Sequence, residues 1–484
     1  MRLSRLQIAW LPALLVATTV AYLNALVGPL QFDDHLLPLD RATQQWSAWW
    51  ESLRHTVRPL LKSSFVMSHA LGEQLHDIPL GHHALNLGIH LVVVILAYQV
   101  ATKLGQTIFR DLPGATTPAV AAASAAMLAL HPLATEAVTY ISGRSVALGT
   151  LFGLAALLLH MHSARARSRV ARLGWTVGAV LSCVAAVLTR EAMIIVPALL
   201  LLWEWGRVDQ RTAPFAPGGM PAALRRTSVY WLLVAGATLW LLLNTGYANL
   251  VGVSRMVLQG RIGETTLLPA LEYFVTRLLL VAPLSIDPAP RMHDSAMVHR
   301  LVLGGVLLAV LWAAWRVRQH RPHWLFGMVW ILLWIAPMYL LPLRHDPVSE
   351  RHFYPALLGV GLILALEGAR LAGRGRLARR GVAVLGIGVL LALTVTTMLR
   401  NVDYLTEVDL WEAAAARTGP GETPKARVFH NLGVAYMKEA RWERAVASFD
   451  RAIELDPGYR SAQLYRARAQ IKLATGDPDA EPEI

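Results

Sequence analysis

The chain reads as an all-α, polytopic membrane helix bundle that ends in a small helical-repeat domain. Composition is the first reason: 55% of the 484 residues are hydrophobic and only 16% charged, where a soluble domain carries about 25% charge. The mean hydropathy of +0.43 agrees. Second, apolar runs long enough to be membrane segments recur through residues 1–400. Third, residues 401–484 change to charged, amphipathic sequence, so two domains are expected: a membrane domain over 1–400 and a helical domain over 401–484.

The apolar runs fall at 6–30, 84–101, 118–130, 145–161, 174–188, 192–205, 229–243, 266–284, 300–315, 325–343, 353–366 and 381–398. Several are shorter than the ~20 residues an upright span requires. They are expected to be half-helices, or to extend into polar flanks buried within the bundle. The first run exceeds a signal-peptide core and has no convincing small-residue cleavage site, so it is expected to stay as a span.

A net charge of +13 raises the question of nucleic acid, and its distribution answers it. Arg2 and Arg5; Lys103 and Arg110; Arg165 to Arg172; Arg207 to Arg226; Arg316 to Arg321; and Arg370 to Arg380 occupy alternate connections. Alternate Lys/Arg-rich loops are the positive-inside pattern of a membrane protein. The N-terminus then lies inside. Residues 31–82, 131–144, 246–265, 285–298, 342–352 and the tail lie outside. Parity demands about eleven crossings, with 266–284 re-entrant or lateral. Cys183, alone in the chain, cannot form an internal disulfide and reads as a small core residue.

The tail has its own pattern. Phe429, Leu432, Gly433, Tyr436, Ala445, Phe449, Ala452 and Pro457 follow the spacing of one tetratricopeptide unit, with Phe in the Trp place. Asp409 to Arg417 reads as the second helix of a degenerate preceding unit, and Ser461 to Ala474 as a capping helix. So short an array needs a neighbouring surface to bury its apolar face. Its role is either a structural cap or a dock for a protein segment.

Polar constellations gather on the side assigned to the outside. Asp33-Asp34 follows the first span, where carboxylates are costly and tend to be functional. Arg58 either pairs with these acids or grips a phosphate. Trp46, Trp49 and Trp50 suit interfacial anchors. His82, Asn86 and His90 share one helix face, but His82 and His90 lie ~12 Å apart along it. They cannot share one ion, whose ligands must approach within ~4 Å of each other, so the stripe is expected to face the bundle interior. His131-Pro132 and Gly143 mark a turn carrying Glu136 and Arg144, which either pair or line the cavity of Asp33. Arg190-Glu191 is expected at the mouth where two helices meet. Glu350 is expected to cap a helix start, leaving Arg351 to meet an anion.

In order along the chain, Phe32-Asp33-Asp34-His35, Arg58-Pro59-Leu60, His83-x-x-Asn86-x-x-x-His90, Leu130-His131-Pro132, Thr135-Glu136-Ala137-Val138, Gly143-Arg144, Arg190-Glu191 and Glu350-Arg351-His352-Phe353-Tyr354-Pro355 precede the repeat that begins at Ala426. Together they resemble the TMTC-type (transmembrane and tetratricopeptide repeat-containing) protein O-mannosyltransferases of the GT-C superfamily. The resemblance covers nearly the whole chain. Arg190 stands where that family usually has Lys, and the repeat array is shorter than in the long animal members.

The resemblance implies a polyprenyl-phosphate-linked sugar, with mannose expected, as donor and a protein Ser/Thr hydroxyl as acceptor. Transfer would invert the anomeric centre. It assigns the general base to Asp33 or Asp34, with Asp33 favoured and Asp34 orienting it or holding a cation. Arg58, Arg144, Arg190 and Arg351 would bind the donor phosphate. His90, His131, Glu136, Glu191 and Glu350 would orient these groups or meet the sugar. A divalent metal ion between Asp34 and His131 is the one cofactor considered, and no ligand spacing requires it. The bilayer, the lipid-linked donor and a protein or peptide docked by the tail are the expected partners, without nucleic acid. The compact Ala/Arg/Leu-rich chain points to a bacterial inner membrane with a periplasmic site; in a eukaryote the same topology gives the endoplasmic reticulum lumen. The alternative is a non-catalytic membrane-anchored repeat scaffold for envelope assembly, which would need neither the acids nor the arginines. A transporter would place its charges at the bilayer midplane and often show inverted repeats, and neither is seen.

Overall fold

The computed structural model describes residues 9–207, 213–243, 267–280, 283–288, 296–340, 348–417 and 425–476. The expected external loop 246–265, most of 342–352, and Arg2, Arg5 and Arg211 of the basic clusters lie outside the described residues. Among those described, the secondary structure is helical throughout. The elements used below are α1 (Trp10–Tyr22), α2 (Trp46–Ser52), α3 (Pro59–Leu75), α4 (Ile78–Thr107), α5 (Pro118–Leu130), α6 (Thr135–Val138), α7 (Arg144–Ser163), α8 (Arg169–Thr189), α9 (Val196–Gly206), α10 (Met220–Leu243), α11 (Leu267–Leu280), α12 (Ala296–Arg316), α13 (Pro322–Leu340), α14 (Leu357–Ala372) and α15 (Arg376–Val402). The tail adds α16 (Glu407–Ala416), α17 (Ala426–Lys438), α18 (Trp442–Leu455) and α19 (Arg460–Thr475).

Eight of the described helices are long and apolar enough to cross a membrane. The bent pair Pro118–Leu130 and Pro132–Val138, angled by 55°, makes a ninth candidate. Pro132 explains the bend, since it cannot continue the incoming ladder. The short apolar run at 174–188 extends back through a polar flank to Arg169, and α8 reaches 21 residues. It is therefore long and apolar enough to span alone. The run at 192–205 forms a 3-10 stretch, Glu191–Ile195, leading into an 11-residue α-helix, and among the described residues the run at 266–284 carries a helix over Leu267–Leu280.

Burial sorts the spans into a centre and a rim. The span from Ile141 to Ser163 is 72% buried, whereas Val298–Arg316 is 6% and Arg376–Val402 11% buried. Rim helices that expose Leu, Val and Trp to the outside of the bundle are what hydrocarbon requires. The histidine stripe faces inward as expected: His82, Asn86 and His90 are all buried. Cys183 is also buried and free. Trp46 and Trp50 are exposed, while the Trp49 indole N–H donates to Pro59 O at 2.8 Å.

The tail does not hang free. Asp287 binds Lys425 and Arg427, Arg417 donates to the Leu284 carbonyl at 3.3 Å, and His35, Glu407 and Lys438 form one polar cluster. The surface that the short repeat requires is therefore the loop that follows α1 and the segment around Asp287. The helices fall where the spacing predicts, with α16 in the place of the degenerate unit and α19 as the cap.

Candidate active site

The site is organised by the turn between α6 and α7. Gly143 there has ordinary helical backbone, but a Cβ on it would lie 2.0 Å from the carbonyl oxygen of Glu136. Glycine thus serves close approach rather than the turn itself, pressing Ser142 against the segment that carries Glu136.

Ser142 receives the acidic loop. Its amide N–H and hydroxyl both donate to Asp34 Oδ1, at 2.8 and 2.5 Å. Gln31 N–H donates to Oδ2 at 3.3 Å, closing a capping box. Asp34 is 1% exposed, and burial pushes its carboxyl up to about 7 against the opposing pull of Ser142 and Gln31. Asp33 is exposed, and its amide N–H donates to the Tyr140 hydroxyl at 3.1 Å. The adjacent acids therefore divide into one buried and one open to solvent.

Tyr140 joins this loop to the segment Glu350–Ala356. The Arg351 guanidinium lies 5.7 Å from the Tyr140 ring centroid. Glu136 holds Arg351 twice, accepting its backbone N–H at 2.8 Å and pairing with its side chain at 3.3 Å. Glu136 also accepts from the Ser349 hydroxyl at 2.9 Å. Tyr140 and Ser349 are contributors that sequence reasoning did not single out; Tyr140 lies inside the quoted turn, two residues before Ser142, and that position is its only signal.

The other predicted residues are distributed differently from expectation. Arg58 forms a bidentate pair with Glu191, at 2.9 and 3.0 Å, instead of meeting the two aspartates. Burial would raise the Glu191 carboxyl, but the Arg58 guanidinium outweighs it and holds the group below the usual range. Arg190 donates to Ser145 Oγ at 2.7 Å and lies 2.9 Å from His352 Nε2. Arg144 does not pair with Glu136. It is fully buried, with Asn86, Ser64, Ser68 and the His82 carbonyl accepting its hydrogen bonds. Glu350 makes no helix cap. It is buried, accepting from the Tyr273 hydroxyl at 2.7 Å and Ser285 N–H at 2.8 Å, with Arg400 at 3.5 Å.

The histidines are internal struts. His90 Nδ1 lies 2.7 Å from the Tyr354 hydroxyl, and His131 Nδ1 accepts from Leu133 N–H at 3.1 Å. Both Asp34 carboxylate oxygens and His131 Nδ1 accept protein donors, and His131 Nε2 is buried without a hydrogen-bond partner among the described residues. No group of three or more His, Cys, Asp or Glu among the described residues is placed to hold a metal ion.

Comparison with known proteins follows the same outline. Residues 426–459 match the tetratricopeptide repeat family model. Over 84% of its length the chain is 24% identical to the protein O-mannosyl-transferase Tmtc3 of Drosophila melanogaster. A shorter stretch, 31% of the chain, is 29% identical to the protein O-mannosyl-transferase F38B6.6 of Caenorhabditis elegans. Among solved structures, the archaeal oligosaccharyltransferase AglB from Archaeoglobus fulgidus aligns with 91% of the chain and 60% of its own, at 12% identity and a TM-score of 0.43. The chain is thus an integral membrane protein similar along most of its length to TMTC-type protein O-mannosyl-transferases. It spans about half the length of the Drosophila relative, at 49%.

Proposed function

We propose that the chain is an inverting glycosyltransferase that moves a sugar, mannose in the first instance, from a polyprenyl-phosphate donor to a Ser or Thr hydroxyl. The observation that carries this reading is Tyr140, whose hydroxyl accepts from the backbone N–H of the solvent-open Asp33 and whose ring lies 5.7 Å from the Arg351 guanidinium. A base and an anion-binding group on either side of one residue suit displacement of a phosphate by an alcohol.

In this mechanism the acceptor oxygen attacks the anomeric carbon as Asp33 takes its proton. The bond from that carbon to the phosphate oxygen breaks, and polyprenyl phosphate leaves with the bonding pair. A positioned base contributes about 10²–10⁴-fold. Arg351, steered by Glu136, meets the developing phosphate charge, and guanidinium suits that task. Arg58 and Arg190 extend the cationic wall, oriented by Glu191 and by Ser145 with His352. Arg144 acts as a brace: its donors serve α3 and α4, so it holds the turn that carries Ser142. Asp34 fixes the loop through that serine. His90, His131 and Glu350 support the surrounding helices, and Glu350 links them through Arg400 to Asp403 and the tail.

The charge pattern supports a cytoplasmic N-terminus, with this site and the tail on the opposite face. For a bacterial source that face is periplasmic; for a eukaryotic one it is the lumen of the endoplasmic reticulum. The test is transfer of radiolabelled mannose from polyprenyl-phosphate mannose to Ser/Thr-rich peptides by the full chain in detergent. Wild-type transfer lost in Asp33→Asn supports the proposal. A folded, peptide-binding protein silent with every lipid-linked hexose would instead support the membrane-anchored scaffold.

A further inference from the structure

A second polar assembly lies at the far end of the bundle. α4 begins near the acidic loop and ends at Thr107. The chain from Glu350 runs through α14 to Ala372, and α13 runs from Pro322 to Leu340, with Tyr339 beside His352. Each therefore has one end near the candidate active site and the other on the opposite side, tens of ångströms away at ~1.5 Å per residue. Around those far ends opens a cavity of ≈ 440 Å³, lined by Arg321, Arg370, Arg374 and Glu367 together with apolar groups such as Leu112 and Leu371.

Its charge is not cancelled internally. Glu367 Oε1 accepts from His323 at 2.9 Å, Trp324 at 2.8 Å and Arg321 at 3.4 Å, and Oε2 lies 3.8 Å from Arg370. One carboxylate is thus shared among several donors, while each guanidinium offers five N–H groups. The other acid of the lining, Asp111, is 85% exposed and lies beside Arg110. The start of α13 at Pro322 is also part of the wall, adding the positive end of a helix dipole. Two basic connections far apart in sequence, 316–321 and 370–380, are folded around one space at the level where spans end and headgroups begin.

We propose that this cavity is a phosphate-ester site that takes the headgroup of an anionic lipid. Arg321, Arg370 and Arg374 hold the phosphate, and the apolar lining receives the adjoining carbons. The site is independent of the glycosyltransferase reading, because it shares no residue with it.

The test measures the thermal midpoint of the full chain in non-ionic detergent against short-chain phosphatidylglycerol, short-chain phosphatidylcholine and inorganic phosphate. Phosphatidylglycerol is expected to raise the midpoint and phosphatidylcholine to leave it unchanged. Arg374→Gln should raise the half-saturating phosphatidylglycerol concentration about fivefold, with Arg374→Lys recovering part of it. Arg169→Gln, in a different basic connection, should match wild type. Inorganic phosphate acting equally well, with the same sensitivity to Arg374→Gln, supports the site and assigns it to free phosphate. Equal responses of wild type and Arg374→Gln, or an equal loss in Arg169→Gln, would overturn the proposal as diffuse electrostatics.

Discussion

The ring of Phe32 stands edge-on to the indole of Trp411, with centroids 5.2 Å apart and planes at 83°. Phe32 belongs to the loop that follows α1 and immediately precedes Asp33; Trp411 belongs to α16, in the tail. On its other side Phe32 stacks against Tyr140 at 6.4 Å. Its φ of 51° is left-handed, a conformation costing on the order of 1–3 kcal/mol for a bulky residue unless its surroundings hold it. Tail and turn thus clamp the residue that aims the open carboxylate.

Trp411→Ala should therefore reduce turnover more than donor affinity. An aromatic pair contributes about 0.5–1.5 kcal/mol beyond its buried area, so a fall in kcat of up to roughly tenfold is expected. Trp411→Phe should restore most of it. Steady-state kinetics decide: a change confined to KM would detach the clamp from the chemistry.

Asp34 gives a pH signature of its own. Its folded pKa of about 7 lies above the unfolded carboxyl value, so the folded state retains a proton that the unfolded state releases. The associated stability is full below about pH 4 and is lost as pH rises through about 7, amounting to some 4 kcal/mol at most. Asp34→Asn keeps the Ser142 hydrogen bonds to the side-chain oxygen and removes the titration. Its thermal midpoint should vary less than that of wild type between pH 5 and 8, measured at roughly constant ionic strength; parallel curves would refute the buried-acid account.

Much of this architecture is legible in the chain because it rests on local periodicity. Runs of apolar residues mark the spans, Pro132 marks the bend, and the tail repeat declares itself in one frame from Phe429 to Pro457. The adjacency of Asp33 and Asp34 is equally plain, but their division is not. Asp34 is buried because Ser142, 108 positions away, receives it, and no local pattern encodes that contact. The same holds for Arg58 with Glu191 and Arg351 with Glu136, where neighbouring opposite charges suggested other pairs. Arg190-Glu191 was expected where two helices meet, and the extended backbone at Arg190 marks the break where α8 ends and Glu191 begins a new 3-10 turn. Glu191 takes the Arg58 guanidinium and Arg190 reaches Ser145 and His352.

The Arg58–Glu191 pair separates bracing from binding. Both side chains are partly exposed, at 28% and 34%, so breaking the pair should cost only about 1 kcal/mol. Arg58→Glu and Glu191→Arg should each destabilise modestly, and the double swap should recover the midpoint. Donor use should not recover if Arg58 meets the phosphate, because the guanidinium then approaches from the other side. Full recovery of the apparent donor constant in the swap would make the pair a brace alone.

Asp287 decides whether the tail is seated by charge. Its carboxylate is 2% exposed, between Lys425 and Arg427. Burial pushes its pKa up, but the two cations prevail and hold it below the usual range. A depressed carboxyl contributes stability above its unfolded pKa that is lost as pH falls through the folded one, so docking should weaken only in strong acid. Asp287→Asn removes the charge and leaves two cations facing an amide, and breaking such a buried pair costs about 3–5 kcal/mol at most. Hydrogen exchange should then accelerate across α17 while α4 and α7 remain protected. If transfer to peptides falls together with that protection, and hydrolysis of the donor does not, the seated tail serves the acceptor. If protection falls and both activities persist, α17 is a cap, and the role of the tail in the site is confined to Trp411 and its hold on Phe32.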